Sequence, residues 1–223
     1  MCFINYIFDV LHIYCLVMQS DNLAVLDVRM GRQLKKMKFN CEINEMAWSF
    51  NSDHILVTTG GQDMGGIDIL GVTCTAESAD FLPVASVGAH TSNCYCLKID
   101  KNYRRMAIGS ADFLVSLWNL EDMVCYKTIS CMDSPIRCIS FSNTGEYIAA
   151  AAEGNNLVIC DVESAEQVVS IDCKNPLMAL AWHPIHNLIA IAPDADSSAD
   201  DSPRYRNDRK QFVQLLSFDS PKK

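Results

Sequence analysis

Residues 109–119 read GSADFLVSLWN, and in them Ser110 and Asp112 stand two positions apart. A serine nucleophile needs a base within hydrogen-bond reach and an oxyanion site, so the pair raises the question of hydrolysis. His183 and His186, in AWHPIHN, have the spacing of metal ligands. Asp194, Asp196, Asp200 and Asp201 offer carboxylates to a divalent cation. The stretch GGQDMGG (60–66) is rich enough in glycine to suggest a phosphate cradle. Each falls short on its own terms. The glycine stretch lacks the Lys-Ser/Thr ending of a phosphate-binding loop, so a hairpin turn is expected there. The histidines flank Pro184 in a turn with no third ligand nearby, and the aspartates belong to a solvated loop. No catalytic residue, cofactor or metal is assigned.

The elements that carry these residues repeat. INEMAWSF (43–50), NCYCLKID (93–100), PIRCISFS (135–142) and PLMALAWHP (176–184) alternate apolar residues and end on a large apolar side chain before a polar turn. Trp48, Ile99, Phe141 and Trp182 then fall 51, 42 and 41 residues apart. A period of about 40–45 residues in an all-strand chain is the mark of propeller blades. Each unit goes on to a second strand (55–60, 105–110, 147–152, 188–192) and a third (66–70, 114–119, 157–162, 212–218). Three units add a fourth (82–87, 123–129, 166–171). Residues 22–28 and 32–39 read as the last two strands of an earlier unit. No sustained helical period appears.

The fold expected is all-β, a partial propeller of three complete four-stranded blades plus two incomplete ones. Propellers close to protect their strand edges, so the count predicts a truncated seven-bladed ring. Its missing part is roughly 110 residues at the repeat length. The domain reading is an apolar leader (1–19) outside the native fold, the partial propeller (20–218) with a mobile loop at 194–211, and a tail (219–223). For the leader, a buried strand pair stays open as the alternative. A membrane role is set aside because Asn5, Asp9 and His12 interrupt the run, which is shorter than the roughly 20 residues a spanning helix needs.

Composition narrows the functional classes. Of 223 residues, 49% are apolar, which argues for a packed protein, and the formal charge of −9 gives no general attraction to nucleic acid. Arg204, Arg206, Arg209 and Lys210 form the one concentration of positive charge, balanced by neighbouring aspartates. They are candidate contacts for a partner, with RNA contact indirect or weak. Arg137, at the start of a first strand, is the further candidate. Ser202-Pro203 offers a minimal site for a proline-directed kinase. The eleven cysteines have no Cys-x2-Cys pair and no regular spacing. Reduced thiols packed as small hydrophobes are expected.

Within the second complete unit, GAH (88–90) precedes a strand and SAD and LW close the next two. This resembles the WD-repeat family, whose units run from Gly-His to Trp-Asp. The resemblance implies a buried hydrogen-bonded network of His90, Asp112 and Trp118. The Ser/Thr position of that network holds Ile108 here, which leaves it incomplete. On this reading Ser110 and Asp112 are scaffold. Longer stretches, among them MAIGSADFLVSLWNLEDMVC and SPIRCISFSNTGEYIAAAAEGNNLVI, resemble the THO complex subunit 3 family over roughly residues 21–218. That resemblance implies a non-enzymatic scaffold in the nucleus, within the THO and transcription-export (TREX) assembly. Its expected partners are other THO subunits and mRNA export factors. The alternative is another WD-repeat adaptor, such as a ubiquitin-ligase substrate receptor or a chromatin-associated module. A propeller hydrolase, the third hypothesis, would need convergent polar residues on the first strands, where the sequence is apolar.

Overall fold

The computed structural model describes residues 5–8, 14–61, 64–75, 77–194 and 213–218. All described regular structure is β-strand, in five antiparallel sheets. No helix among the described residues is long and apolar enough to cross a membrane.

The first sheet is β1 (Asn5–Phe8), β2 (Tyr14–Gln19), β3 (Asn22–Asp27) and β4 (Arg32–Lys38), in that spatial order. Where the sequence reading assigned only the last two strands to this unit, four are present. The physical reason is visible in β2. Leu16 and Met18 alternate inward and are 0% and 2% exposed, and Leu16 faces Val25 across the ladder with β3. Leu16 and Met18 thus pack as part of the β2–β3 hairpin.

The second sheet is β5 (Glu42–Trp48), β6 (His54–Gly60), β7 (Gly65–Cys74) and β8 (Ala79–His90). The third is β9 (Cys94–Ile99), β10 (Arg105–Ser110), β11 (Val115–Asn119) and β12 (Val124–Ile129). The fourth is β13 (Ile136–Phe141), β14 (Tyr147–Ala152), β15 (Asn156–Asp161) and β16 (Gln167–Asp172). The fifth has three strands, β17 (Leu177–Trp182), β18 (Leu188–Pro193) and β19 (Gln214–Ser217). In every sheet the strands run in sequence order, each hydrogen-bonded to the next. This up-and-down plan lets short turns make most connections within a sheet; between β18 and β19, residues 194–213 intervene.

Two compact units divide the chain, residues 1–97 and 98–223. In the first, Leu16, Leu23 and Val25 pack in one core with Met46, Trp48, Ile55, Val57 and Leu70. Burial on this scale supplies the main driving force, about 25 cal/mol per Å² of apolar surface. In the second, Ala149, Ala151, Leu157 and Ile159 pack with Leu177, Trp182, Ile189 and Phe218. Phe218 holds β19 in place: its ring meets Trp182 and Tyr147 edge-on, with centroids 5.5 and 5.1 Å apart. The alanine run of β14 makes sense here, since all four alanines are buried and face neighbours on both sides of the sheet.

Gly60 and Gly65 bracket the glycine-rich stretch, which joins β6 to β7 as a hairpin with Thr59 opposite Gly66. A Cβ on Gly65 would lie 2.1 Å from the carbonyl oxygen of Ser92 and 2.7 Å from the amide of Cys94. Close backbone approach explains the glycine at 65.

Candidate functional site

Ser110 and Asp112 form a turn. The Ser110 amide donates to the Leu114 carbonyl at 3.2 Å, and the Phe113 amide donates to the Ser110 carbonyl at 3.3 Å. Ser110 Oγ accepts the Asp112 amide at 3.2 Å, and Asp112 Oδ1 accepts the Leu114 amide at 3.2 Å. Phe113 adopts the left-handed conformation the turn requires, with φ of 73°. The serine is fully buried and its oxygen serves the backbone. Both residues thus hold the β10–β11 hairpin, as side chains of these types do in turns.

Trp118 is buried on β11, and its indole N–H donates to Ser116 Oγ at 2.7 Å. Sequence reasoning missed Ser116. The signal was present, because residues two apart on a strand share a face, and a buried indole demands an acceptor. Trp48 and Trp182 differ: both indole N–H groups are buried without a hydrogen-bond partner among the described residues. His90 is buried and closes β8 opposite Gly65. GAH precedes β9, as the sequence expected, and is also the end of β8.

One polar device recurs at the start of four hairpins. Residues 49, 100, 142 and 183 follow or end the first strand of successive sheets. Ser49 Oγ accepts the His54 amide at 3.1 Å. Asp100 Oδ1 accepts the Arg104 and Arg105 amides at 2.8 and 3.0 Å. Ser142 Oγ accepts the Tyr147 amide at 3.1 Å, and His183 Nδ1 accepts those of Ile185 and His186 at 3.1 and 2.9 Å. The last case bears on the metal reading. Occupied as an acceptor, Nδ1 of His183 has no lone pair left for a cation. The rings of His183 and His186 stack with centroids 4.8 Å apart. Among the described residues no group of three or more His, Cys, Asp or Glu side chains could hold a metal ion.

A second device closes the turn between third and fourth strands. Asp27 Oδ1 accepts the amides of Arg29 and Met30, Asn119 Oδ1 that of Glu121, and Asp161 Oδ1 those of Glu163 and Ser164, all within 2.8–3.1 Å. This is the position after Trp118, where a Trp-Asp unit has its aspartate. Asn119 keeps the acceptor and loses only the charge.

Between sheets, polar contacts link successive turns. Lys101 Nζ donates to Asn143 Oδ1 at 3.1 Å, and Asn143 Nδ2 donates to the Ile185 carbonyl at 3.1 Å. Arg105 pairs with Glu163 at 2.7 Å. Arg137, on β13, is half-exposed and pairs with Glu153. Arg204, Arg206, Arg209, Lys210, Asp196, Asp200, Asp201 and Ser202 lie outside the described residues. Asp194 ends the described part of that segment, its amide donating to the Pro176 carbonyl at 2.7 Å. A shallow cleft of about 630 Å³ lies beside β12, lined by Tyr103, Arg104, Arg105, Glu121, Asp122 and Tyr126 among others.

Among the described residues, these polar side chains close turns, join neighbouring sheets and line an open surface. Residues 81–119 match the family described as WD domain, G-beta repeat, and residues 105–185 match the anaphase-promoting complex subunit 4 WD40 domain. Residues 81–185 thus carry WD40 repeats, on antiparallel sheets consistent with the blades of a partial propeller. The chain is 38% identical over 202 residues to THO complex subunit 3 of Arabidopsis thaliana, an alignment covering 91% of this chain and 59% of that protein. It is also 34% identical over 192 residues to WD repeat-containing protein AAC3 of Dictyostelium discoideum, covering 82% of this chain and 37% of that one. The chain thus spans about three fifths of the first relative's length and under two fifths of the second's.

Proposed function

We propose that this chain acts as a non-enzymatic scaffold of the THO complex subunit 3 type, in the nucleus, where it supports packaging of nascent transcripts and mRNA export. The observation that carries the proposal is the 38% identity to that subunit along 91% of the chain. WD repeats suit the role because rigid antiparallel sheets present loops to partners without local unfolding. The acidic balance, −9 overall, favours protein partners over a direct grip on RNA phosphates.

Within this reading, other THO subunits and export factors are the partners. His90, Asp112 and Trp118 serve the scaffold and not a reaction. Arg137 and the cations at 204, 206, 209 and 210 are the partner contacts. Depletion of the native protein, followed by in situ detection of polyadenylated RNA, tests the role. Nuclear accumulation of the RNA, reversed by re-expression, is expected; an unchanged distribution would argue against it.

A specific observation supports a second reading. The family matched at 105–185 is named for a subunit of the anaphase-promoting complex, which keeps an adaptor role in a different assembly as the alternative.

A further inference from the structure

Two thiols meet within the unit that spans 98–223. Cys131 Sγ and Cys160 Sγ lie 3.2 Å apart, from residues 29 positions apart in the chain. A disulfide bond of about 2.05 Å is therefore little more than an ångström away. Cys131 sits in the segment between β12 and β13, which has no regular structure, so that small closure does not require a strand to move. Ile129 and Met132, both buried, anchor the segment on either side of Cys131. Cys160 is on β15 at a shift of register with β16, and it is 1% exposed.

Access and ionisation divide the two thiols. Cys131 is half-buried and reachable from solvent, whereas Cys160 is enclosed. The hydrogen bond from the Cys160 thiol, with help from the Cys131 backbone amide, outweighs burial and brings Cys131 down to about 7. Cys160 is pushed up by the same contact and by burial. The exposed member is thus the one that carries thiolate near neutral pH, and thiolate is the reactive form.

We propose that Cys131 and Cys160 form a peroxide-sensitive pair, in which Cys131 is oxidised first and Cys160 resolves it to an intrachain disulfide. In the first step the Cys131 thiolate attacks a hydroperoxide. An S–O bond forms and the O–O bond breaks, its distal oxygen leaving as hydroxide or alkoxide that takes a proton from solvent. Sulfur loses two electrons to the oxidant and is left as a sulfenic acid. In the second, Cys160 sulfur attacks Cys131 sulfur, its proton leaves with the departing hydroxyl as water, and the S–S bond forms. A dithiol reductant reverses the change by exchange. The bond would fasten the segment that joins the third and fourth sheets to the third strand of the fourth. This inference does not rest on the export reading and would hold for any WD-repeat adaptor with these two residues.

The test is peptide mapping of the purified full chain after brief exposure to hydrogen peroxide at pH 7, with alkylation and no reduction. The expected product is a cross-linked pair of peptides containing Cys131 and Cys160, lighter than the two separate peptides by two hydrogens. Cys131→Ser should leave Cys160 as a free thiol, alkylated only after unfolding. Cys160→Ala, which keeps the apolar character of that site, should leave Cys131 as a sulfenic acid trapped by dimedone. Recovery of both thiols alkylated while the exposed Cys125 is oxidised would overturn the proposal. So would Cys131 joined to any other cysteine. The mapping of the unaltered chain decides the matter even if a variant fails to fold.

Discussion

Lys101 Nζ donates a hydrogen bond to Asn143 Oδ1 at 3.1 Å, and the two residues hold the same turn position in successive repeats, 42 residues apart. Asn143 hands the pattern on through its bond to the Ile185 carbonyl, another 42 residues along. The repeat is thus written in polar contacts between sheets as well as in apolar strands. Asn143→Ala removes both contacts at an exposed site. A loss of about 0.5–1 kcal/mol in urea unfolding is expected, and a loss above that range would mean the turn itself collapses.

Ser116 exists to satisfy Trp118. Ser116→Ala leaves the indole N–H buried with no acceptor and should cost about 1–3 kcal/mol. Trp118→Phe in the same background should recover part of the loss, because it removes the orphaned donor. Equilibrium denaturation of the two single variants and the double one measures the coupling.

Asp100 is 5% exposed and its Oδ1 takes two backbone amides. Asp100→Asn preserves an acceptor oxygen and should lie nearer to the parent than Asp100→Ala, which should lose about 1–3 kcal/mol. Equal losses would show that charge, and not the acceptor, is what the turn needs.

Gly65→Ala places a Cβ against the backbone of residues 92–94. Backbone cannot swing aside as a flexible side chain would, so a loss of about 3 kcal/mol is expected. The thermal midpoint reports it, and near-parent stability would contradict the packing described.

Cys131 should alkylate with a midpoint near pH 7. A thiol with a lowered pKa is ionised, and therefore reactive, above that pH and is quenched as pH falls through it. Cys41 and Cys173, which burial pushes up, should require more alkaline solution. Rates by mass spectrometry between pH 5 and pH 10 give the comparison.

Much of the fold was legible because period-2 alternation and turn residues recur at a fixed spacing. The strands from Glu42 onward fall within a few residues of their expected bounds, apart from the long β7–β8 pair, whose ladder reaches Cys74 and Ala79. The first sheet was harder. A long apolar run, including Leu16 and Met18, looks like a leader until its pairing with β3 is known, and pairing is a non-local property. At the site, Asp112 and Ser110 were readable as turn residues, since their chemistry is local. Ser116 was not singled out although it lies two before Trp118 on the same strand face, because a serine flanked by Val115 and Leu117 reads as one position of a buried strand. The meeting of Cys131 with Cys160 was hidden for the reason that hid the first sheet: 29 residues of chain separate the two thiols.

The proposed export scaffold is one held together by protein contacts. Affinity purification of the tagged protein from nuclear extract, after nuclease treatment, tests it most directly when followed by mass spectrometry. Recovery of large THO subunits is predicted, with a several-fold decrease for Arg137→Glu at unchanged stability. Recovery of ubiquitin-ligase subunits or histones in their place would contradict the export assignment and leave the WD-repeat fold intact.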